Sequence, residues 1–218
     1  MSKKNRDSAK CRPVRGEDRP FVLCLTGSLG MGKSTAARFF AEAGVPVHDS
    51  DAAVHALYEG EAVPAIERAF PGSTAAGKVD RSKLAAMVLN DGAALARLEA
   101  IVHPLVAVST ERFLAKARVS GTAVVALDVP LLFEVGLDCG CDAIVVVSAP
   151  AEIQRRRAFE RPGMTEEKFA ALLAKQMPDA EKRRRADFVL DSSGTFDYAR
   201  NQVHDILRAV GKMPRRRR

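Results

Sequence analysis

The stretch Gly27-Ser28-Leu29-Gly30-Met31-Gly32-Lys33-Ser34-Thr35 constrains this chain more than any other feature. It satisfies G-x-x-x-x-G-K-[ST], the pattern of a phosphate-binding loop. Its setting fits. Ahead of it lies the apolar run Phe21-Val22-Leu23-Cys24-Leu25, which suits a strand buried on both faces of a parallel sheet and stops at Thr26-Gly27. Behind it, Ser34 to Ala43 reads as a helix with Phe39 and Phe40 towards the sheet and Gly44 as its stop. The glycines let the backbone wrap a phosphate and aim N–H groups inward, and the helix N-terminus adds its positive end. Lys33 can reach β- and γ-phosphates, and the Ser34 hydroxyl can ligate Mg²⁺. Composition alone yields such a pattern in roughly 1% of chains this long, so an ordinary glycine turn before an exposed lysine is the weaker reading. The expected nucleotide-binding set is Ser28, Leu29, Gly30, Met31, Gly32, Lys33, Ser34 and Thr35.

The rest of the chain alternates. Val45-Pro46-Val47-His48 reads as a second strand. Residues 52–118 are rich in Ala, Leu, Glu and Arg at helical spacing, with breaks at Pro71-Gly72, Asn90-Asp91-Gly92 and His103-Pro104. That predicts three or four helices, the last opening at Pro104, too much for a simple crossover and therefore partly a helical insert. Strands return at Thr122–Asp128 and Ala143–Val147. A helix follows over Ala151–Arg161, a charged helical hairpin over Thr165–Ala186, a last strand at Asp187–Leu190 and a closing helix over Thr195–Val210. Five buried strands alternating with helices predict an α/β sandwich on a parallel sheet.

The net charge of +7 is unevenly spread: the first 20 residues carry +4 and the last seven +5, leaving 21–211 at −2. The basicity thus belongs to two tails, expected to be solvated and disordered around a nearly neutral body. Aromatics are 6% and Trp is absent, so no base-stacking platform is foreseen and no nucleic-acid partner is required. No apolar run approaches the roughly 18–20 residues that cross a bilayer, and no apolar segment follows the basic N-terminus before Phe21. Cys11, Cys24, Cys139 and Cys141 fit neither a C-x-x-C pair nor a disulfide framework. They are read as reduced thiols of a cytoplasmic protein without membrane partners.

Phosphate loops serve kinases, GTPases and motor ATPases, so the acceptor needs its own argument. The chain is short and carries no N-K-x-D guanine signature, which favours a small-molecule kinase. Asp49-Ser50-Asp51 follows the second strand, and ligands of open α/β sheets sit outside the carboxyl ends of the strands. A carboxylate there can orient an acceptor hydroxyl and take its proton; Asp49 or Ser50 equally suits a helix N-cap. Asp128 ends the third strand in Asp128-Val129-Pro130-Leu131-Leu132-Phe133-Glu134. If that strand neighbours the first, Asp128 lies beside Ser34 and can hold Mg²⁺; otherwise it is a strand-end turn carboxylate. Leu131-Leu132-Phe133 packs core or cleft, and Glu134 reads as a solvated turn charge. Arg157 and Arg161 share a helical face at i and i+4 and can bring positive charge to a transferring phosphoryl when a lid closes, or stand solvated with Arg155 and Arg156. Lys182-Arg183-Arg184-Arg185 reads as solvated surface.

Taken together, the phosphate loop, Asp49-x-Asp51, His103-Pro104, Asp128–Glu134, the arginine-rich segment and Gln176 resemble the dephospho-CoA kinase family, in order and at compatible spacing, over about residues 21–210. The resemblance implies transfer of the ATP γ-phosphate to the ribose 3′-hydroxyl of dephospho-CoA, with ATP and Mg²⁺, as the last step of CoA synthesis. It implies a P-loop NTPase three-layer sandwich with a five-stranded parallel sheet. Its core would be 21–57, 119–156 and 187–211, with a helical CoA-binding region at 58–118, a lid at 157–186, and the tails 1–20 and 212–218 outside. A monomer or small homo-oligomer is expected. By the resemblance, Asp51 engages the acceptor hydroxyl, with Lys33, Arg157 and Arg161 as the other catalytic residues and Ser34 and Asp128 at the metal. His103 fits either an acceptor contact or a helix-entry position. Two departures stand out. The family's Arg-Asp at the lid entrance is Arg161-Pro162 here, and its Asn in the loop before glycine is replaced within Ser192-Ser193-Gly194.

Overall fold

The structure is a computed structural model that describes residues 19–89, 91–136 and 140–216. Most of the expected basic tails, 1–18 and 217–218, lies outside the described residues, as do Cys11 and Cys139. The described chain forms two compact units, one of residues 19–48 and 117–216, the other Asp49–Lys116.

The first unit is built on five strands: β1 (Phe21–Thr26), β2 (Val47–Asp49), β5 (Val124–Asp128), β6 (Ala143–Ser148) and β7 (Phe188–Asp191). Their order is β2-β5-β1-β6-β7, with β1 parallel to both β5 and β6 and β6 parallel to β7. Every residue of β1 and β6 is buried, as an apolar sequence without alternation requires of a sheet covered on both faces. Helices α1 (Lys33–Glu42) and α9 (Phe196–Val210) cover one face: Phe39, Phe40, Val203, Ile206 and Val210 pack on Leu23, Leu25, Val145, Val147 and Leu190. The remaining helices of this unit are α6 (Ala151–Phe159), α7 (Glu166–Ala174) and α8 (Asp179–Arg185). Helix α6 stops at Phe159, two residues before the expected end at Arg161.

Cys24 and Cys141 are not the reduced thiols expected. They form a disulfide, with Cα atoms 5.6 Å apart and a separation of 117 positions in the sequence. The pairing of Leu23 with Ala143, and the bond from the Asp142 N–H to the Val22 carbonyl, bring Cys141 alongside β1. Sheet register, which spacing in sequence does not reveal, makes this bond.

The second unit holds α2 (Ser50–Tyr58), α3 (Val63–Ala69), α4 (Arg81–Val88), most of α5 (Gly92–Val119), and a small antiparallel hairpin, β3 (Thr74–Ala75) with β4 (Lys78–Val79). Its own core joins Leu57, Ile66, Phe70, Leu84, Leu98 and Val102. The four helices match the expected count, but α5 runs unbroken through His103-Pro104. Proline removes one N–H and crowds the preceding turn, and in a 28-residue helix the remaining bonds and the buried face outweigh that loss. The helix also reaches a mean hydropathy of 1.3 over 18 residues, long and apolar enough by composition to cross a bilayer. Ala94, Leu98 and Val102 on it are buried in the unit's core. The hairpin was not foreseen, because two-residue strands carry no alternation. Its turn is tight: Ala76 and Gly77 both take positive φ, 49° and 76°.

Candidate active site

The loop between β1 and α1 owes its shape to two glycines. Gly30 and Gly32 have φ of 76° and 81°, and a Cβ on Gly30 would stand 2.5 Å from the Gln154 carbonyl oxygen. Only glycine meets both demands. The Leu29 peptide is held on both sides. Its N–H donates to Gln176 Oε1 at 3.1 Å, and its carbonyl accepts from Gln154 Nε2 at 2.8 Å. Met31 is buried, and its sulfur accepts from the Ala149 N–H at 3.2 Å. The loop therefore reaches α1 as a rigid turn. The Ser34 side chain is exposed in the first turn of that helix, where backbone N–H groups point outward.

Strand β5 lies directly beside β1, with Leu25 in register with Asp128. Asp128 is 3% exposed, and its Oδ1 lies 2.5 Å from Lys33 Nζ. The expected neighbour relation between these strands thus holds, and the structure brings together the loop lysine and the strand-end carboxylate.

A cavity of about 240 Å³ opens beside the loop, lined by Gly32, Thr35, Phe39, Arg157, Ser192 and Phe196 among others. The Arg157 guanidinium is fixed in its wall by Ser192, donating to Oγ at 2.9 Å and to the carbonyl oxygen at 2.7 Å. Ser192 Oγ in turn donates to the Met31 carbonyl at 2.8 Å. Ser192 thus ties the arginine to the phosphate loop. Arg161 lies past the end of α6 and is exposed, its backbone N–H returning to the Ala158 carbonyl.

In the second unit, Asp49 is the N-cap of α2, accepting from the N–H groups of Asp51 and Ala52 at 2.9 and 3.0 Å. Of the two roles open to Asp49, capping is the one seen. Asp51 occupies the first turn of α2 with its side chain exposed, and His103 is an exposed residue inside α5 rather than at its entry.

Two side chains expected to be solvated are paired with each other instead. Lys182 is fully buried, and its Nζ lies 2.9 Å from Glu134 Oε1. Glu134 is a half-buried ion-pair partner and not a free turn charge. Burial alone would raise its carboxyl pKa, but the Lys182 ammonium and the Met177 N–H outweigh that and hold it below the usual range. Arg183, Arg184 and Arg185 remain exposed as expected.

The donors near the loop suit a hard cation. Asp128 gives one buried carboxylate and Ser34 one hydroxyl, and among the described residues no cluster of three or more acidic, His or Cys side chains exists. Magnesium is commonly bound by one or two protein oxygens together with substrate phosphates, so this sparse set fits it.

Comparison with known proteins identifies the family. The family described as dephospho-CoA kinase matches residues 21–197. A dephospho-CoA kinase from Rhodopseudomonas palustris is 59% identical over 196 residues, covering 90% of this chain and 98% of that one. One from Mesorhizobium japonicum is 60% identical over 186 residues, covering 85% and 94%. A crystal structure from Thermus thermophilus is similar at TM-score 0.78 and 34% identity, over 88% of this chain and 98% of the other. The dephospho-CoA kinase of Campylobacter jejuni shares the fold at TM-score 0.62 and 20% identity, over 87% and 96%. With its phosphate loop, its five-stranded parallel sheet and these relatives, the chain belongs to the dephospho-CoA kinase family of P-loop kinases.

Proposed function

We propose that this chain transfers the γ-phosphoryl group of ATP to the ribose 3′-hydroxyl of dephospho-CoA, releasing ADP and coenzyme A in the final step of CoA biosynthesis. One observation carries the reading: Lys33 of a rigid phosphate loop stands against Asp128, beside a cavity walled by Arg157 and Ser192. The loop from Gly30 to Thr35 receives the β- and γ-phosphates, through N–H groups other than those of Met31 and Thr35, which donate to the Ser28 and Gly32 carbonyls, and Ser28 and Leu29 shape the turn. Lys33 leaves its ion pair to face the γ-phosphate, where charge moves in the transition state. Ser34 and Asp128 would hold Mg²⁺, which would supply positive charge to offset that of the phosphates. The cavity accepts the nucleoside end of ATP, with Arg157 as its polar wall. The helical region 58–118 serves the CoA acceptor, and 157–186 forms the lid.

At the acceptor, Asp51 orients the 3′-hydroxyl. As the new P–O bond forms and the bond to ADP breaks, the hydroxyl proton passes to its carboxylate. Arg161, exposed past α6, adds positive charge when the lid closes. The protein works in the cytoplasm, as a monomer or small homo-oligomer, with neither nucleic acid nor membrane as partner.

The reading is tested by following ADP release from Mg·ATP with a panel of acceptors at equal concentration: dephospho-CoA, adenosine, thymidine and shikimate. Dephospho-CoA should give the largest kcat/KM by at least two orders of magnitude, about what loss of several acceptor contacts removes. A larger kcat/KM with any other member would overturn the assignment.

A further inference from the structure

The buried Lys182–Glu134 pair takes no part in the proposed reaction, and its position is unusual. The linker between α7 and α8, residues 175–178, together with the first residues of α8, is fastened to the carboxyl end of the sheet at three points. Gln176 Oε1 accepts from the Leu29 N–H of the phosphate loop at 3.1 Å. Glu134, in the turn after β5, accepts from the Met177 N–H at 2.8 Å and pairs with Lys182. Asp179 Oδ2 accepts from the hydroxyl of Ser148, the last residue of β6, at 2.8 Å.

A charge pair in such a place is an expensive fastener. The Lys182 side chain is 0% and that of Glu134 15% exposed. Glu134 Oε2, Asp179 Oδ1 and Lys182 Nζ are buried without a well-oriented hydrogen-bond partner among the described residues, so the 2.9 Å approach of Lys182 Nζ to Glu134 Oε1 acts as an ion pair. For stability alone, apolar side chains of similar volume usually serve as well or better. What they cannot do is accept the Met177 N–H and fix the direction of the linker one residue past Gln176. We propose that Glu134 and Lys182 are a positioning pair. They seat the α7–α8 linker so that Gln176 locks the Leu29 peptide, and so keep the phosphate loop in its nucleotide-binding shape.

The inference rests on the reading of residues 28–35 as the ATP phosphate site and is independent of the acceptor. Affinity at such a loop depends on N–H groups aligned before the ligand arrives. With Gln154 holding the Leu29 carbonyl and Gln176 its N–H, the peptide groups on both sides of Leu29 are fixed just ahead of Gly30. Releasing one of them adds freedom that ATP must remove on binding.

The test is equilibrium binding of ATP to the full chain, with thermal denaturation of each variant alongside. Gln176→Ala removes the Leu29 contact and leaves the buried pair intact. It should weaken ATP binding about three- to tenfold, the worth of one net hydrogen bond, with a melting temperature close to wild type. The double variant Glu134→Leu with Lys182→Met removes both charges and the acceptor for Met177. It should regain a near-normal melting temperature yet keep the same weakened ATP binding. A merely structural pair predicts that the double variant recovers binding together with stability, and that result would overturn the proposal. If the double variant does not fold, Gln176→Ala decides: ATP binding within twofold of wild type sinks the idea. Failure of wild type to bind ATP at all would instead remove the reading of the phosphate site.

Discussion

Trimming the chain to residues 21–211, the span its charge distribution marks out as the neutral body, should destabilise it considerably. Asp142 stands just before β6, at the amino end of the sheet, with its side chain 0% exposed. Its oxygens accept from Arg19 Nη1 and Nη2 at 2.5 and 2.6 Å, from the Val22 N–H at 2.8 Å and from the Arg216 N–H at 3.0 Å. The Arg216 side chain reaches on to Asp187, and its carbonyl accepts from Arg19. Arg19 and Arg216, remote in sequence, thus meet over one buried carboxylate. Cutting both away leaves that carboxylate with the Val22 N–H alone. Breaking a buried pair by removing one partner costs about 3–5 kcal/mol. Because the cut also lets water reach Asp142, about 3 kcal/mol is expected, the low end of that range.

Urea unfolding of the full chain, of residues 19–216 and of residues 21–211 measures this. At a slope of about 2 kcal/mol per molar urea, the shortest form should unfold some 1.5 M earlier, while 19–216 should match the full chain. The acid dependence supplies a sign. Burial pushes the Asp142 pKa up, but Arg19, the Val22 N–H and the Arg216 N–H outweigh it and hold the folded value below normal. The stabilisation is therefore complete above the unfolded value near about 3.9 and is lost as pH falls through the lower folded value. The full and trimmed chains should converge in stability in strong acid. If 21–211 unfolds within about 0.3 M of the full chain at pH 7, an effect under 1 kcal/mol at that slope, the argument for the clamp is wrong.

Further outcomes follow from the site. Lys33→Ala should lower turnover by at least about 10²–10³, the worth of one donor to developing charge, with circular dichroism unchanged; turnover within tenfold would remove Lys33 from the mechanism. Asp51→Asn should cut kcat about a hundredfold, the lower part of the range for acid–base help, and spare ATP affinity. Asp49→Asn, which preserves the cap seen in the structure, should stay within a few fold in kcat. The reverse pattern would exchange the two carboxylates' roles. At the β3–β4 turn, where Ala76 holds a φ of 49°, Ala76→Asn places a residue suited to that conformation before Gly77. It should raise stability by about 0.5–1 kcal/mol in urea unfolding; a loss would show that the turn is not under strain.

The parts of this molecule legible in its sequence are those where a local pattern has a single structural meaning. An apolar run, a glycine-rich turn and a helix start specify β1, the phosphate loop and α1. Asp128 at the end of another apolar run needed only the right strand order to stand beside Lys33. What stayed hidden depends on contacts remote in sequence. Cys24 and Cys141 meet because β1 and β6 are in register. Lys182 looks like one cation of a solvated run until the turn after β5 places Glu134 against it. Arg19 and Arg216 look like tail charges until Asp142 is found between them. Ser192 looks like an ordinary loop serine, and only the folded loop shows it bridging Arg157 to Met31. In each case a thiol, charge or hydroxyl is seen in sequence only beside its neighbours, whereas its partner comes from another strand or turn.

The most direct measurement of the central claim is the position of the transferred phosphoryl group. The full chain is incubated with Mg·ATP and dephospho-CoA, and the product is examined by mass spectrometry and phosphorus–proton correlation NMR. The account predicts one added phosphoryl group per molecule, coupled to the ribose 3′ proton, with an equal yield of ADP. Phosphorylation at any other hydroxyl, or ADP release without a phosphorylated acceptor, would contradict it.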